Sequence, residues 1–599
     1  MTTKRFFLTL LCPFLLLGQI KKDLFVNTIE IQGAKAVSKR EIFSTLRTKE
    51  PNIFSRNIKF DRRKLRLDAI SVKNLYLSKG YLGAVVNDSM SVQNGKVDVF
   101  LLITEGEQCF VREISIEGNT ILSDRKISDI LNFYVGKAYD PVTANVKLPD
   151  LQDEYHRFGK LTATFQISDA VSDSVDVLVQ ISEGPDVFIQ SYSMEGLGDL
   201  DTTIVEREIM FKPGDLYNKD DMDLTQHYLL TSGVFSYAGI SPVAIPHSDS
   251  LVHLIVEVHQ YKPSVLNSEG GLYPIEYYEG AEPLPGFGAE LSWKNRSLWK
   301  TTTSFSTKLS IQGIPTDDYI YPKLSMLMGF ANQWLFNRRL PTQFWVFYEW
   351  FQNYGKKDDP EILRYGLNFS TIKKYKENSY LEFRLRWEKF IEPEGMRDDI
   401  QQRSLQITGR LDGTDDPLFP KKGLVLTVEG KNVGGILGGN RSFIKTDIGL
   451  NGYMPLLANI VFAGRVKYGV IFGWDEADEA KLYDKFYLGG SSSLRGWDML
   501  RFRVDENGDP FGDVKRVMTN LELRFPLFWL FGGEVFIDGG QLSDINSTIS
   551  TTNIDWNIGC GLTLITPILP FRADIAFPLD KSPKDMDSWK IQLGAHYVF

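Results

Sequence analysis

Two hydrophobic periodicities divide the chain. Up to about residue 263, strand-like alternation and helix-like spacing succeed each other in a fixed order; from about Ser264 only the alternation is left. In the first part, three segments share one plan. Ile29 and Ile31 with Gly33, Ile114 and Ile116 with Gly118, and Tyr192 and Met194 with Gly196 each mark an alternating strand that runs into a turn. A helical stretch punctuated by glycine follows in each: Tyr76 to Gly80, Tyr155 to Gly159, Leu229 to Gly233. Each segment then closes on a long alternating strand, Val97 to Thr104, Val175 to Ser182 and Leu251 to His259, so the order βααββ occurs three times. In the first repeat, Ser38 and Glu41 have capping-box spacing, and Leu65, Ala69, Val72 and Tyr76 mark the buried face of the second helix. Pro149, inside the second helix of the second repeat, predicts a kink or a shifted start there.

The second part alternates in a way no water-soluble core tolerates. Leu381, Phe383, Leu385 and Trp387 interleave with Glu382, Arg384, Arg386 and Glu388; Phe305, Thr307, Leu309 and Ile311 interleave with Ser306, Lys308, Ser310 and Gln312; Tyr365, Leu367 and Phe369 interleave with Arg364, Gly366, Asn368 and Ser370. Charge on one face and hydrocarbon on the other fits a barrel with a wet lumen and a lipid-facing wall. The last eleven residues are the clearest case. Trp589, Ile591, Leu593, Ala595, Tyr597 and Phe599 share one face, and Lys590, Gln592, Gly594 and His596 the other. Runs of this kind between turn signals number about sixteen, an even count as expected of bacterial barrels.

The amino terminus predicts export. Lys4 and Arg5 precede an apolar run from Phe6 to Leu17, too short to span a bilayer and of the length of a secretory leader, with cleavage near Gly18 and Gln19. Cys12 lacks the small residues that precede a lipidation site. No other apolar run reaches the length of a spanning helix. The net charge of -9, with no concentrated Lys/Arg tract, argues against nucleic acid as a ligand. Only Cys109 and Cys560 remain after removal of the leader, and they are far apart in the chain, which argues against a disulfide framework or a cysteine metal site. The sequence predicts no catalytic residue, metal or cofactor: it holds neither a G-x-S-x-G elbow nor a G-x-x-x-x-G-K-[ST] loop, and its six histidines are mostly scattered.

One constellation is more specific than alternation. Gly489, Gly490, Ser491, Ser492 and Ser493 lead into Leu494, Arg495, Gly496 and Trp497, after a strand from Ile460 to Phe472. Downstream, Leu521, Leu523 and Phe525 face outward and place Glu522 inward, and Asp538 points inward between Val535 and Ile537 and the pair Gly539 and Gly540. An arginine folded into the lumen reaches both carboxylates through its planar fork of donors.

The three repeats resemble POTRA domains, and the whole arrangement resembles the BamA/TamA superfamily of outer-membrane assembly factors and its two-partner secretion relatives. With three repeats and about sixteen strands it looks most like TamA, whereas the secretion exporters usually carry two repeats and a plug helix. The resemblance implies an α+β periplasmic section followed by an all-β one: a leader at 1–19, POTRA-like domains at 20–108, 109–187 and 188–263, and a transmembrane antiparallel β-barrel at 264–599. It implies that Arg495 is the tip of the sixth extracellular loop, paired mainly with Asp538 and secondly with Glu522. Asp412, Asp415, Asp416, Phe419, Pro420 and Gly423 resemble the family's Asp-rich turn before a Pro-x-x-Gly corner. Near Pro567, Ile568, Leu569, Pro570, Phe571 and Arg572 the sequence departs from the family pattern, lacking a glycine before the second proline.

By the same resemblance the protein inserts β-barrel or autotransporter-type clients into the outer membrane, with unfolded client chains and outer-membrane lipid as partners. An inner-membrane-anchored TamB-type protein is a further partner at the repeats, and the alternative is an exporter of one dedicated polypeptide. Clients would pair with an opened seam between the first and last barrel strands, since an exposed strand edge recruits extended chains through main-chain hydrogen bonds. The repeats also have sheet edges, which either contact clients and partners or serve as spacers. At the seam, Asn267, Ser268, Gly270 and Gly271 lie in the first strand, Val265 to Tyr273, and Gly594 and Phe599 in the last. Two readings of the glycines stand: they weaken pairing, or they make room for bulky lumen residues. Tyr597 and Phe599 also read as girdle and targeting residues.

Overall fold

The computed structural model describes residues 24–51, 55, 57–277, 283–316, 319–355, 361–376, 378–391, 399–456, 460–473, 484–548, 551–566, 570–579 and 588–594. The predicted leader, residues 567–569, and the chain end with Ala595, His596, Tyr597 and Phe599 lie outside them.

The first repeat comprises β1 (Phe25–Gln32), α1 (Lys39–Thr45), α2 (Arg62–Ser78), β2 (Val85–Gln93) and β3 (Lys96–Thr104). The second comprises β4 (Val111–Glu117), α3 (Asp124–Leu131), α4 (Pro141–His156), β5 (Thr164–Val171) and β6 (Val175–Ser182). The third comprises β7 (Phe188–Glu195), α5 (Thr203–Glu206), α6 (Lys219–Thr231), β8 (Phe235–Ile245) and β9 (Ser248–Gln260). In each sheet the last strand is central, giving the orders β1-β3-β2, β4-β6-β5 and β7-β9-β8. Ser38 caps α1 by accepting the Glu41 N–H, and Leu65, Ala69, Val72 and Tyr76 are buried under α2. α4 runs through Pro149 from a start at Pro141, where a missing N–H costs nothing, so the start is not shifted to the proline.

The glycine that ends each opening strand has a positive φ, +84° at Gly33, +84° at Gly118 and +83° at Gly196, and a Cβ there would strike the carbonyl oxygen of Ile103, Ile181 or Val258. Beyond that turn the first two repeats share a carboxylate clamp. Glu105 accepts the N–H groups of Lys35 and Ala36 at 2.7 and 2.8 Å and the Tyr76 hydroxyl at 2.9 Å. Glu183 accepts those of Thr120 and Ile121 at 2.7 and 3.0 Å. Burial pushes both carboxyls up, but these hydrogen bonds outweigh it and hold them below the ordinary range. In the third repeat Gln260 stands in this place and donates to the Leu197 carbonyl instead.

One edge of each sheet is partly covered, because Lys59, Ala138 and Leu216, just before the second helix, bridge to Phe25, Phe110 and Phe188. The other edges are β2, β5 and β8, and β8 alone of the three contains a proline, Pro242.

Packing divides the chain into two compact units, the first holding the first two repeats and part of the third, the second holding Gly196–Glu208, Tyr228–Ala238 and Val258 onward. Within the second unit, Glu208 is fully buried and accepts from Trp334 Nε1 at 2.6 Å and Arg339 Nε at 3.0 Å, while the Arg339 guanidinium lies 3.7 Å from the centre of the Tyr228 ring. The remainder of this unit is a sheet of sixteen strands in sequence order, β10 (Ser264–Ile275) to β25 (Lys590–Gly594), each antiparallel to its neighbour. The expected parity holds on most of the described strands, but not on β10, where Asn267 to Leu272 are all exposed. Leu309, Ile311, Leu381, Leu385, Ile591 and Leu593 are exposed on the outer wall, and Ser310, Glu388, Arg465 and Gln592 are buried on the inner one.

Candidate functional site

Part of the segment that joins the eleventh and twelfth strands of the barrel, β20 (Val461–Gly473) and β21 (Lys515–Phe528), is buried against the inner wall. Its root is held at Asp484, which accepts from Gln402 Nε2 at 2.9 Å and lies 3.6 Å from Lys431 Nζ, while its carbonyl accepts from Lys445 Nζ at 2.7 Å. The Phe486 ring then fills the space over Gly469, between the cations of Lys445 and Arg516, each 4.7 Å from the ring centre. Gly489 and Gly490 turn the chain with φ of +111° and +105°. The Gly490 N–H donates to the carbonyls of Leu494 and Trp497, both at 3.1 Å, so the Leu494–Trp497 tip closes on itself. All residues from Phe486 to Trp497 are buried.

Arg495 lies within this tip, with no exposed surface. Its Nε and Nη2 donate to the two oxygens of Asp538 on β22 (Phe531–Ser543), at 2.9 and 2.7 Å, and its own backbone N–H donates to the same carboxylate at 3.2 Å. Nη1 lies 2.9 Å from Glu522 Oε1 and 3.0 Å from Glu534 Oε1, and 3.8 Å from Asp574 on β24 (Pro570–Pro578). The guanidinium also stacks on Phe536, 3.3 Å from the ring centre. The fork is bidentate on Asp538, with Glu522 and Glu534 on the remaining nitrogen.

Three further members were not anticipated: Glu534, Asp574 and Arg572. Glu534 lies four residues before Asp538 on the same inward face, and Arg572 and Asp574 alternate with outward Phe571, Ala573 and Ile575. Inward parity was the signal. Nothing local shows that these strands converge on one tip. Arg524 and Arg572 supply counter-charge, at 2.6 Å from Glu522 and 2.8 Å from Asp574. Asn520 ties the cluster to the loop, donating to Asp538 at 2.8 Å and to the Ser493 carbonyl at 2.7 Å, and accepting from Arg465. Leu494 packs against Gly540, and Gly496 sits so close to Asn557 that a Cβ would lie 2.7 Å from the Asn557 Cβ. Trp497 is buried against Phe502, with ring centres 5.0 Å apart. Among the described residues no group of three or more His, Cys, Asp or Glu side chains is arranged to hold a metal.

The seam residues have distinct surroundings. Asn267, Ser268, Gly270 and Gly271 lie in β10, which pairs with β11 (Leu284–Asn295) along its whole length. A Cβ at Gly271 meets nothing within 4 Å and one at Gly270 only the Gly288 carbonyl at 3.7 Å, so neither makes room for a neighbour. Gly594 does: a Cβ there would lie 3.0 Å from the Arg572 guanidinium. The Asp-rich turn closes on its own backbone. Asp415 accepts from Lys421 and Lys422 at 2.9 and 3.0 Å, Asp416 accepts from Leu418 and Phe419 at 2.8 and 2.9 Å, and Gly423 runs against Gly413.

Comparison with known proteins agrees with this architecture. Residues 322–598 match the profile of the Omp85 superfamily domain, and residues 25–106 and 110–184 match that of the POTRA repeat, described as a surface antigen variable number repeat. The outer membrane protein assembly factor BamA of Nitratidesulfovibrio vulgaris is 23% identical over 93% of this chain and 71% of its own length. That of Neisseria meningitidis serogroup B is 20% identical over 96% and 78%. Among solved structures, BamA from Haemophilus ducreyi lacking POTRA domains 1-3 superposes with a TM-score of 0.59, at 16% identity, over 80% of this chain and 99% of that one.

Proposed function

The chain belongs to the Omp85 superfamily, an outer-membrane protein with its repeats in the periplasm, and on that premise we propose that it inserts β-barrel or autotransporter-type proteins through a lateral seam. The observation that carries the proposal is the buried loop tip. With Phe486 to Trp497 packed inside the barrel, the lumen is occupied, and the route left to an extended client is the pair of sheet edges, β10 and β25. Those edges offer main-chain groups that pair with any extended chain, whatever its sequence. Gly270 and Gly271 contribute by leaving β10 with little side-chain packing where it must part from its partner.

The repeats act upstream as receivers of client chain, and a TamB-type inner-membrane partner docks on them. With one edge of each sheet partly covered, β2 and β5 are the receiving strands, and Pro242, which has no N–H to donate, blunts β8. The Arg495 cluster seats the loop.

Covalent closure of the seam tests the reading. Single cysteines at Asn267, Ser268 or Glu269 are paired with one at Gly594, Ala595 or His596, in a background with Cys109 and Cys560 changed to Ser. A disulfide forms only where Cα atoms come within about 4.4 to 6.8 Å, so cross-linking itself reports register. Oxidation is expected to stop client insertion and reduction to restore it. Full activity with complete cross-linking rules the seam out.

A further inference from the structure

The buried loop touches more than its carboxylate cluster: it reaches both edges of the sheet. On the side of the last strand, Gln592 of β25 is buried and donates from Nε2 to the Trp497 carbonyl at 3.0 Å. Two residues earlier on the same inward face, Lys590 Nζ lies 2.9 Å from Asp498, with the lysine side chain 15% exposed and the aspartate 56%. The neighbouring strand adds Arg572, whose Nη2 donates to the Ser491 carbonyl at 2.5 Å. On the side of the first strand, Ser492 Oγ donates to the Pro283 carbonyl just before β11. Tyr487 and Leu500 of the loop share an apolar cluster with Ile275 at the end of β10, with Tyr277 and with Leu284.

We infer that the loop tip is a strut across the seam, and that Lys590 and Gln592 are the positioning residues through which its seating holds the last strand. The geometry assigns them this role because each bonds the loop immediately after Arg495, at Trp497 and Asp498. A displacement of the arginine from Asp538 therefore withdraws the acceptors that hold β25. The two bonds differ in kind. Gln592 gives a buried neutral bond, which costs more to leave unmade, and Lys590 gives a partly solvated ion pair, which contributes less. The inference rests on the seam reading and adds to it what keeps the seam shut at rest: client arrival must loosen the loop, or compete for β25, before the edge is free.

The test uses the full chain in phospholipid vesicles, with Cys109 and Cys560 changed to Ser and spin labels at Leu266→Cys and Leu593→Cys, both outward and exposed. The fraction of molecules with widely separated labels reports an open seam. Gln592→Ala with Lys590→Ala is expected to raise that fraction roughly three- to tenfold, the size of a lost buried hydrogen bond plus a weak ion pair. A Ser493→Cys probe, buried in the loop, stays unreactive to maleimide in that variant because Arg495 still seats the tip. Asp538→Ala exposes the probe and widens the seam, and adding it to the Gln592/Lys590 pair widens the seam no further. Lys590→Arg, which keeps the charge, returns the single-site effect to the parent value, and Asp498→Ala reproduces Lys590→Ala without touching the strand. Arg384→Ala, which breaks a lumen pair with Glu382 on a distant strand, leaves the distribution unchanged.

Unchanged separation in the Gln592/Lys590 variant, while Asp538→Ala still widens it, overturns the strut and leaves the seam standing. The seam itself falls on a different result, full insertion with the two edges cross-linked.

Discussion

Leu101 in the first repeat and Leu385 in the barrel sit on strands of the same alternating pattern, yet Leu101 is 1% exposed and Leu385 39%. The charged partners reverse with them: Glu30 and Gln32 of the first repeat are exposed, whereas Glu388 of the barrel is buried in an ion pair with Arg364. The same period-2 code therefore has opposite meanings in the two regions, and the solvent outside decides which. In water the apolar face closes over a helix layer; in lipid it is the outer wall, and charges must be satisfied against one another and the loop inside. Burial thus marks packing in the repeats and polar networks in the barrel, and mutations should divide accordingly.

The sharpest break is Arg495→Ala. It leaves Asp538, Glu522, Glu534 and Asp574 facing one another with one cation fewer, and removing one member of a buried pair costs about 3–5 kcal/mol. Loss of client insertion with the loop accessible to protease is expected, and Asp538→Ala should give nearly the same loss. In the double variant the effects should overlap, while additive losses count against direct pairing.

Next, Leu101→Ala should cost the repeats about 2–5 kcal/mol by leaving a cavity, read from denaturant midpoints of a soluble fragment from Lys21 to Tyr261. That fragment is expected to unfold cooperatively in water. Leu385→Ala should leave barrel stability nearly unchanged, because lipid fills the space, whereas Leu385→Arg should cost about 2–4 kcal/mol near the bilayer midplane. Equal costs for the two alanine variants would collapse the comparison.

A smaller effect concerns the turn glycine that all three repeats share. Gly118→Ala forces a positive φ and a clash on a non-glycine residue, about 1–3 kcal/mol in the same fragment.

The smallest concerns acid. Glu105 and Glu183 titrate below their unfolded value, so their clamps contribute stability that is fully present above about pH 4.3 and is lost as pH falls through the folded-state value. The clamped turns of the first two repeats should loosen in that window by amide exchange, and the Gln260 to Leu197 contact of the third should not. Glu105→Gln should flatten the response of the first repeat.

Much of this was legible because each strand carries its own parity. The capping of α1 by Ser38, the face Leu65, Ala69, Val72 and Tyr76, and the inward aim of Glu522 and Asp538 all follow from residues within a few positions of one another. The glycines at 33, 118 and 196 were legible too, as turn positions. The start of α4 was less so, since a proline at position 149 signals a boundary locally while the buried face formed by Ala144, Leu151 and Tyr155 carries the helix through it.

What the chain determines by itself is periodicity and facing: which side of each element is apolar, in what order the elements of the three repeats follow, and which charges must point into a lumen. These depend on spacing alone, 2.0 for strands and 3.6 for helices. What only the tertiary structure decides is which inward charges meet. Glu534, Asp574, Arg572, Lys590 and Gln592 come to one loop tip because β22, β24 and β25 turn their inward faces to the segment that returns from β20 to β21. Alternation says that a side chain points inward; the stagger of neighbouring strands sets its height and its partner, and no local pattern encodes that.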